Sequence, residues 1–274
     1  MKVILEGGRV EAFVLPKSIN KWPSFYAVKQ ETASSSEVYF KRVADSNGPR
    51  FNETVRLLLE GRKVISTGLS GIGKSTEING LLMVFLSHLG EVDWPKEVWY
   101  RWDKFMFKFL LVDGVPTVAK FQDVTLASVE AFSSEFQDTT RVEDRPVLLL
   151  ELKEKEIDPS SYIPTYIPLS NRNVYSATKE IQKAGGQYLL VDPPSSEDMQ
   201  AMAAFEAAHS SNSVFKGMPV DQVKEVVRKR VSMIGPRIRE VFKTGVGELE
   251  ENCFSEALPD VFKSGVAHTD MRGV

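Results

Sequence analysis

Eight consecutive residues in the first third of the chain have the types and spacing needed to bind phosphate. Residues 68–75 read Gly-Leu-Ser-Gly-Ile-Gly-Lys-Ser, which is the phosphate-loop pattern G-x-x-x-x-G-K-S. The glycines let backbone N–H groups converge on an anion, and the free N–H groups of a following helix attract negative charge. A lysine in this position reaches the β and γ phosphates of a nucleotide, and the serine hydroxyl binds Mg²⁺. We therefore expect ATP and Mg²⁺ as the ligands of this loop.

The predicted nucleotide site includes the loop and the residue after it. Lys74 is expected to act in catalysis through its charge on the phosphates, and Ser75 is expected to bind Mg²⁺. The β-branched run 63–67 precedes the loop, and apolar residues at helical spacing over 76–89 follow it, as the motif requires. The predicted nucleotide-binding residues are Gly68, Leu69, Ser70, Gly71, Ile72, Gly73, Lys74, Ser75 and Thr76.

ATP hydrolysis also needs a carboxylate that holds the Mg²⁺ shell and orients the attacking water. Glu151 ends the apolar run 147–150, which is typical of a strand buried on both faces. This is the Walker B pattern, with Glu in place of the more common Asp. Asp113 after 110–112 is the rival, although a hairpin turn at Asp113-Gly114 also explains that residue. The fit to a central strand favours Glu151 as the catalytic carboxylate and Mg²⁺ ligand, with Asp113 as the alternative.

Two later residues are candidates for contacts with the γ-phosphate. Asn171 follows the strand-like segment 165–169, and ligands of α/β sheets lie beyond the carboxyl ends of the strands. Arg237 follows a rigid Gly235-Pro236 turn, from which an arginine can stabilise charge that develops on the phosphate. A loop asparagine without a ligand and an ordinary surface arginine are the alternatives.

The composition excludes several classes of protein. Of the 274 residues, 42% are hydrophobic and 26% are charged, which excludes wholesale disorder, collagen and a long coiled coil. The net charge of -3 disfavours a protein that binds nucleic acid over its whole surface. The one cysteine and the three histidines lack zinc-ligand spacing: Cys253, His88, His209 and His268.

No apolar stretch approaches the length of a membrane span, and no signal peptide is visible. We therefore expect a soluble, intracellular protein with no membrane partner.

The remaining elements predict an α/β fold with a mainly parallel sheet. Period-two spacing over 98–124 predicts two strands whose aromatic residues pack in the core rather than stack on bases. Further strands are predicted over 146–152, 165–169 and 187–191. Helices are predicted from an Asn52 N-cap to Leu59, over 76–89 and 176–183, from a Ser195–Asp198 capping box, and over 221–234.

These elements predict three parts of the chain. Residues 1–50 would form a small β extension that starts with a hairpin over 2–15, followed by a linker. Residues 51–245 would form the nucleotide domain, and residues 246–274 a tail too short for another enzyme. The basic run 228–230 on the polar side of the last strong helix would be a solvated face, with a local nucleic-acid patch as the alternative.

Several segments resemble the P-loop ATPase module shared by Crinkler effectors of oomycetes and fungi and the retrotransposon hot spot proteins of trypanosomes. The resemblance covers roughly residues 20–245 and rests most firmly on the loop at 67–75, where that family favours T-G-x-x-G-I-G-K-S. It includes five further segments: 22–26, the aromatic hairpin at 98–121, Glu151, 168–171 and 191–194. It closes at 230–237, which is similar to the family's G-x-P-R ending.

The resemblance implies a three-layer ATPase of the broad AAA+/STAND type that acts in the nucleus, a host nucleus where the member is a secreted effector. It also implies fusion to an effector domain, but the residues after the module are too few for a nuclease, and the usual targeting header is not visible. A connection with nucleic acid rests on this analogy alone.

We therefore expect a Mg²⁺-dependent nucleoside triphosphatase. The alternative is a nucleotide-controlled module that binds a protein partner or a second copy of itself with little turnover. A small-molecule kinase is the weakest reading, because no second substrate motif is visible.

Overall fold

The computed structural model describes eleven segments of the chain, and for residues before 50 only the main chain. These segments are 2–4, 10–14, 38–42, 50–68, 72, 74–75, 77–139, 141–152, 162–169, 186–210 and 213–243, with residue 72 standing alone. The first described strands form a three-stranded antiparallel sheet in which β2 is central: β1 (Lys2–Ile4), β2 (Val10–Val14) and β3 (Val38–Arg42). The antiparallel pair β1–β2 confirms the hairpin that the sequence predicts. Strand β3, which was not predicted, pairs with the other side of β2.

A second sheet contains the other strands of the described segments: β4 (Val64–Thr67), β5 (Glu97–Trp102), β6 (Phe105–Val112), β7 (Val115–Phe121), β8 (Val147–Leu150), β9 (Thr165–Pro168) and β10 (Gln187–Leu190). Their order in the sheet is β10-β4-β9-β8-β5-β6-β7. The first five strands in that order are parallel, whereas β6 is antiparallel to both of its neighbours, β5 and β7. The predicted mainly parallel α/β sheet is therefore confirmed.

Helices cover both faces of this sheet. Helices α1 (Arg50–Leu59) and α2 (Glu77–His88) pack on one face, and α3 (Leu126–Ser134) packs on the other. Successive residues of β4 point to opposite faces of the sheet. Val64 packs in the apolar core on the α1 and α2 side, and Ile65 packs in the core on the α3 side. Both side chains are fully buried, so helices must cover both faces. The result is three layers with the central strands between them.

The last helices form an apolar cluster of their own. They are α4 (Ser196–His209), α5 (Val220–Ile234) and α6 (Ile238–Lys243). The predicted capping box opens α4, because the Ser195 hydroxyl accepts the Asp198 N–H and the Asp198 carboxylate accepts the Ser195 N–H.

The basic run at 228–230 is not a uniform solvated face. Arg228 is exposed and paired with Glu225, but Arg230 is only 4% exposed. Arg230 lies over the ring of Phe215 and donates a hydrogen bond to the Val241 carbonyl oxygen. The side chain falls three residues after Val227 on the buried stripe of α5, so helical spacing directs it inward. The prediction of a solvated face is wrong for Arg230, and the run does not form a continuous basic patch.

Other predictions differ from the structure in detail. Helix α1 begins at Arg50, so Asn52 lies inside the helix and is not its N-cap. The side chain of Arg50, the first residue of the helix, donates hydrogen bonds to Ser66 of β4 and Glu77 of α2. The aromatic residues Phe107 and Phe109 are buried, as expected for core packing. The helix predicted over 176–183 and the tail at 246–274 lie outside the described residues.

Within the described segments, no helix combines the length and the apolar character needed to cross a membrane.

Candidate functional site

The strand order makes a topological switch point at the carboxyl ends of two neighbouring strands, β4 and β9. After β4 the chain runs through α2 to β5, two strands beyond β9, whereas after β9 it passes to β10 on the other side of β4. Connections that leave adjacent parallel strands in opposite directions open a crevice at that edge of the sheet, where α/β proteins bind their ligands. The 68–75 motif starts at this point, directly after β4.

Gly68 occupies a position that a larger residue would not fit. Its φ of +146° lies in a region that side chains disfavour, and a Cβ there would lie 2.6 Å from the Val191 carbonyl oxygen. Ile72 crowds the same place from within the motif, at 3.0 Å. The Val191 N–H also donates to the Thr67 carbonyl oxygen at 2.7 Å, so the chain after β10 is held against the start of the loop. The first glycine of the motif is thus required by a close backbone approach.

Lys74 is directed back into the loop. Its side chain is buried, with 7% exposure, and its ammonium group donates to the Gly68 carbonyl oxygen at 2.9 Å. The contact joins the two ends of the motif, whereas the Ser75 side chain is exposed. The Lys74 carbonyl oxygen accepts the N–H of Glu77 and so begins the first turn of α2. The lysine side chain therefore lies against the first glycine of the motif.

A buried polar cluster of four side chains lies beside the start of α2: Arg50, Ser66, Glu77 and Tyr166. The Arg50 guanidinium donates to the Ser66 hydroxyl at 3.1 Å and to the Glu77 carboxylate at 2.5 Å. The Tyr166 hydroxyl lies 2.5 Å from the same carboxylate oxygen and 3.2 Å from the Lys74 carbonyl oxygen. The cluster joins α1, β4, α2 and β9 around the start of helix α2.

Burial and the neighbouring Glu77 carboxylate raise the pKa of Tyr166 well above its ordinary value. The Arg50 cation and a hydrogen bond with Ser66 oppose this rise. The phenol therefore keeps its one hydrogen, which the Glu77 carboxylate and the Lys74 carbonyl oxygen share in a three-centre bond, with the carboxylate the nearer acceptor. Sequence reasoning missed this cluster. Its one visible signal was that Glu77 lies four residues before Leu81, on the apolar stripe of α2.

Glu151 lies at the same edge of the sheet as the loop. The pairing of Leu149 with Tyr166, continued by two residues, places Glu151 level with Pro168, which pairs with Ser66 of β4. Only β9 lies between β8 and β4, so the main chains are about 10 Å apart. Alternation along β8 directs Glu151 to the same face as Leu149, the face on which α2 packs.

Asp113 lies at the other edge of the sheet. It forms a hairpin turn with Gly114, with φ angles of 51° and 76°, between β6 and β7. Because β6 is antiparallel to β5, this turn lies at the amino ends of the parallel strands, four strands away from β4. The structure therefore does not bring Asp113 together with Lys74 or Ser75.

Arg101 is a buried neighbour of Glu151 that sequence reasoning did not identify. It is 2% exposed, and its guanidinium donates to the Glu151 carbonyl oxygen at 3.3 Å. The Glu151 N–H donates to the Arg101 carbonyl oxygen at 3.1 Å, and the guanidinium also reaches the Val124 carbonyl oxygen. These bonds hold the main chain at the end of β8 in one position.

The remaining candidates are not joined to the loop by the contacts that the structure gives. Arg237 is exposed between α5 and α6, where its N–H donates to the Gly235 carbonyl oxygen and its own carbonyl oxygen accepts the Val241 N–H. Six predicted residues lie outside the described part of the chain: Leu69, Ser70, Gly71, Gly73, Thr76 and Asn171.

A nucleotide-bound Mg²⁺ is chemically compatible with the residues present. In the described ranges, no three His, Cys, Asp or Glu side chains are grouped as a metal site. Mg²⁺ at a nucleotide takes most of its ligands from phosphates and water and needs only a few protein oxygens. The hydroxyl of Ser75 and the carboxylate of Glu151 are oxygen donors of this kind.

Comparison of the chain with protein-family models gives no match, and comparison with curated proteins gives none either. Membership of the Crinkler and retrotransposon hot spot family stays a prediction from the motifs.

Replacement of Gly68 tests the close approach at the start of the loop. We expect Gly68→Ala to lower the free energy of unfolding by about 2–4 kcal/mol, because it adds a clash with the Val191 carbonyl to the strain of the positive φ. Gly217→Ala is the matched control, because Gly217 also has a positive φ of +80° but open space around it. It should cost about 1 kcal/mol. Denaturant unfolding measures both values, and equal losses would contradict the account.

Proposed function

We propose that the chain is a Mg²⁺-dependent nucleoside triphosphatase that binds ATP at the 68–75 loop. The observation that carries the proposal is the location of this motif. It connects a buried central strand to a buried helix at the crevice formed by the strand order. Helix α2 directs its amino end toward this crevice, which favours an anion.

The proposed roles follow the positions of the side chains. Lys74 would exchange the Gly68 carbonyl oxygen for phosphate oxygens, and Ser75 would bind Mg²⁺. Glu151, level with the end of β4 and on the α2 side of the sheet, would complete the Mg²⁺ shell and orient water. Asn171 and Arg237 remain the proposed γ-phosphate contacts. The AAA+/STAND assignment, a role in the nucleus and a nucleic-acid connection rest on the family resemblance alone.

A nucleotide-controlled interaction module with little turnover is the second candidate. It is favoured by the helical cluster of α4, α5 and α6, which follows β10 directly and contains Arg237. A nucleotide contact to that arginine would move or fix the cluster and so change the surface that a protein partner or a second copy meets.

Lys74→Ala should abolish ATP binding, with at least about a hundredfold loss of affinity, because it removes the cation that faces the phosphates. Binding can be measured by titration calorimetry with ATP and Mg²⁺, and hydrolysis by phosphate release. Lys96→Ala is the control, because Lys96 is exposed and paired with Asp144 far along the chain. If Lys74→Ala and the unchanged chain bind ATP with equal affinity, or release phosphate at equal rates, the proposed function is contradicted.

Glu151→Gln separates the two candidate functions. If the chain hydrolyses ATP with Glu151 as the proposed carboxylate, single-turnover hydrolysis should fall by about a hundredfold or more while ATP remains bound. Glu143→Gln, on the 3-10 turn before β8, serves as a control for the loss of one charge. If the unchanged chain binds ATP but turns it over negligibly, and Glu151→Gln alters neither property, the interaction module is the better description.

A further inference from the structure

The main chain of Lys74 is in contact with the hydroxyl group of Tyr166. The Lys74 carbonyl oxygen accepts the Glu77 N–H at 3.2 Å and lies 3.2 Å from the Tyr166 hydroxyl. Tyr166 is fully buried in β9, 92 residues away along the chain, so this contact joins the loop to the sheet and not to its own helix.

The Tyr166 hydroxyl is itself held by charged and polar neighbours. Glu77 accepts its hydrogen at 2.5 Å, and Arg50 donates to the same carboxylate oxygen, also at 2.5 Å. Arg50 also donates to the Ser66 hydroxyl of β4. Hydrogen bonds therefore link the four side chains into one network, and such a network fixes each member more firmly than one bond does.

This network fixes the end of the loop from which the Lys74 side chain extends. Loss of the Tyr166 hydroxyl would remove one link between the first turn of α2 and the sheet. The Lys74 carbonyl oxygen would keep the bond from the Glu77 N–H but lose its contact with β9. A shift of about 1 Å at a binding group is enough to weaken a ligand contact substantially.

We propose that Tyr166 is a positioning residue of the nucleotide site, which acts through the main chain of Lys74, with Glu77, Arg50 and Ser66 as its support. This inference rests on the proposed function. It assigns to the buried polar cluster the task of holding the phosphate-binding lysine, in addition to its contribution to stability.

Tyr166→Phe tests this assignment, because it keeps the buried ring and removes only the hydroxyl. We expect the Kd for ATP to rise about fivefold to tenfold, the equivalent of one hydrogen bond. Tyr188→Phe is the matched control. Tyr188 lies in β10, the other neighbour of β4, and packs with the core on the opposite face, so its Kd should change less than twofold. The measurement is titration of the full chain with Mg²⁺ and ATP at a temperature where circular dichroism shows every variant folded.

A double-mutant cycle distinguishes positioning from a purely structural role. Glu77→Gln should also weaken ATP binding. The Tyr166→Phe, Glu77→Gln double variant should lose clearly less than the product of the two single losses, because the Glu77 carboxylate acts on the Lys74 carbonyl through the Tyr166 hydroxyl. If Glu77→Gln fails to fold, Ser66→Ala takes its place, with a smaller loss expected from the weaker support.

The possible outcomes separate this inference from the proposed function. If the unchanged chain binds ATP and folded Tyr166→Phe binds it equally well, the positioning role is overturned and the proposed function stands. A lowered unfolding midpoint with unchanged ATP affinity would have the same meaning, because it shows a structural role alone. If the unchanged chain binds no ATP, both are overturned.

Discussion

The carboxylate of Glu77 is the constraint on which the rest of this site depends. It lies in the first turn of α2 with 5% exposure, between the sheet and helix α1. A buried charge is tolerated only when it is paired and hydrogen-bonded, and removal of one partner of such a pair typically costs about 3–5 kcal/mol. Arg50 and Tyr166 supply these partners. The start of α2, the start of α1 and strand β9 must therefore keep one relative position.

The backbone at the other end of the loop is constrained by space instead of charge. Gly68 approaches the Val191 carbonyl so closely that no side chain fits, and a hydrogen bond from Val191 to Thr67 holds the two segments together. The loop is thus fixed at its first glycine by β10 and at its lysine by β9. These are the two strands that flank β4, and the crevice between the diverging connections lies over them.

Much of this arrangement could be predicted from the sequence, because its signals are local. The 68–75 spacing, the apolar run before Glu151 and the Asp113-Gly114 turn each indicate their structure within a few residues. The strand order could not be predicted, since it depends on which strands pair across long connections. For the same reason Asp113 remained a rival of Glu151 until the antiparallel direction of β6 placed it at the far edge.

The buried contacts of charged residues were also hidden from the sequence. Arg50, Arg101 and Arg230 have side chains that are usually exposed, and only their tertiary neighbours show that these ones are buried or nearly so. Arg230 shows the error most clearly, because a run of three basic residues predicts a solvated face while helical spacing directs the third inward. The third strand, β3, was not predicted, because its five residues show no clear alternation of apolar and polar side chains that would distinguish them from the linker before them.

A structure of the full chain with a non-hydrolysable ATP analogue and Mg²⁺ would show whether the 68–75 loop binds the phosphates of ATP. We expect the Lys74 ammonium to leave the Gly68 carbonyl oxygen for the β and γ phosphates. The Lys74 carbonyl should stay beside the Tyr166 hydroxyl, and Ser75 and Glu151 should face the Mg²⁺. Two results would contradict ATP binding at the 68–75 loop. The analogue could be bound elsewhere, or the Lys74 ammonium could still donate its hydrogen bond to the Gly68 carbonyl oxygen at a saturating concentration of the analogue.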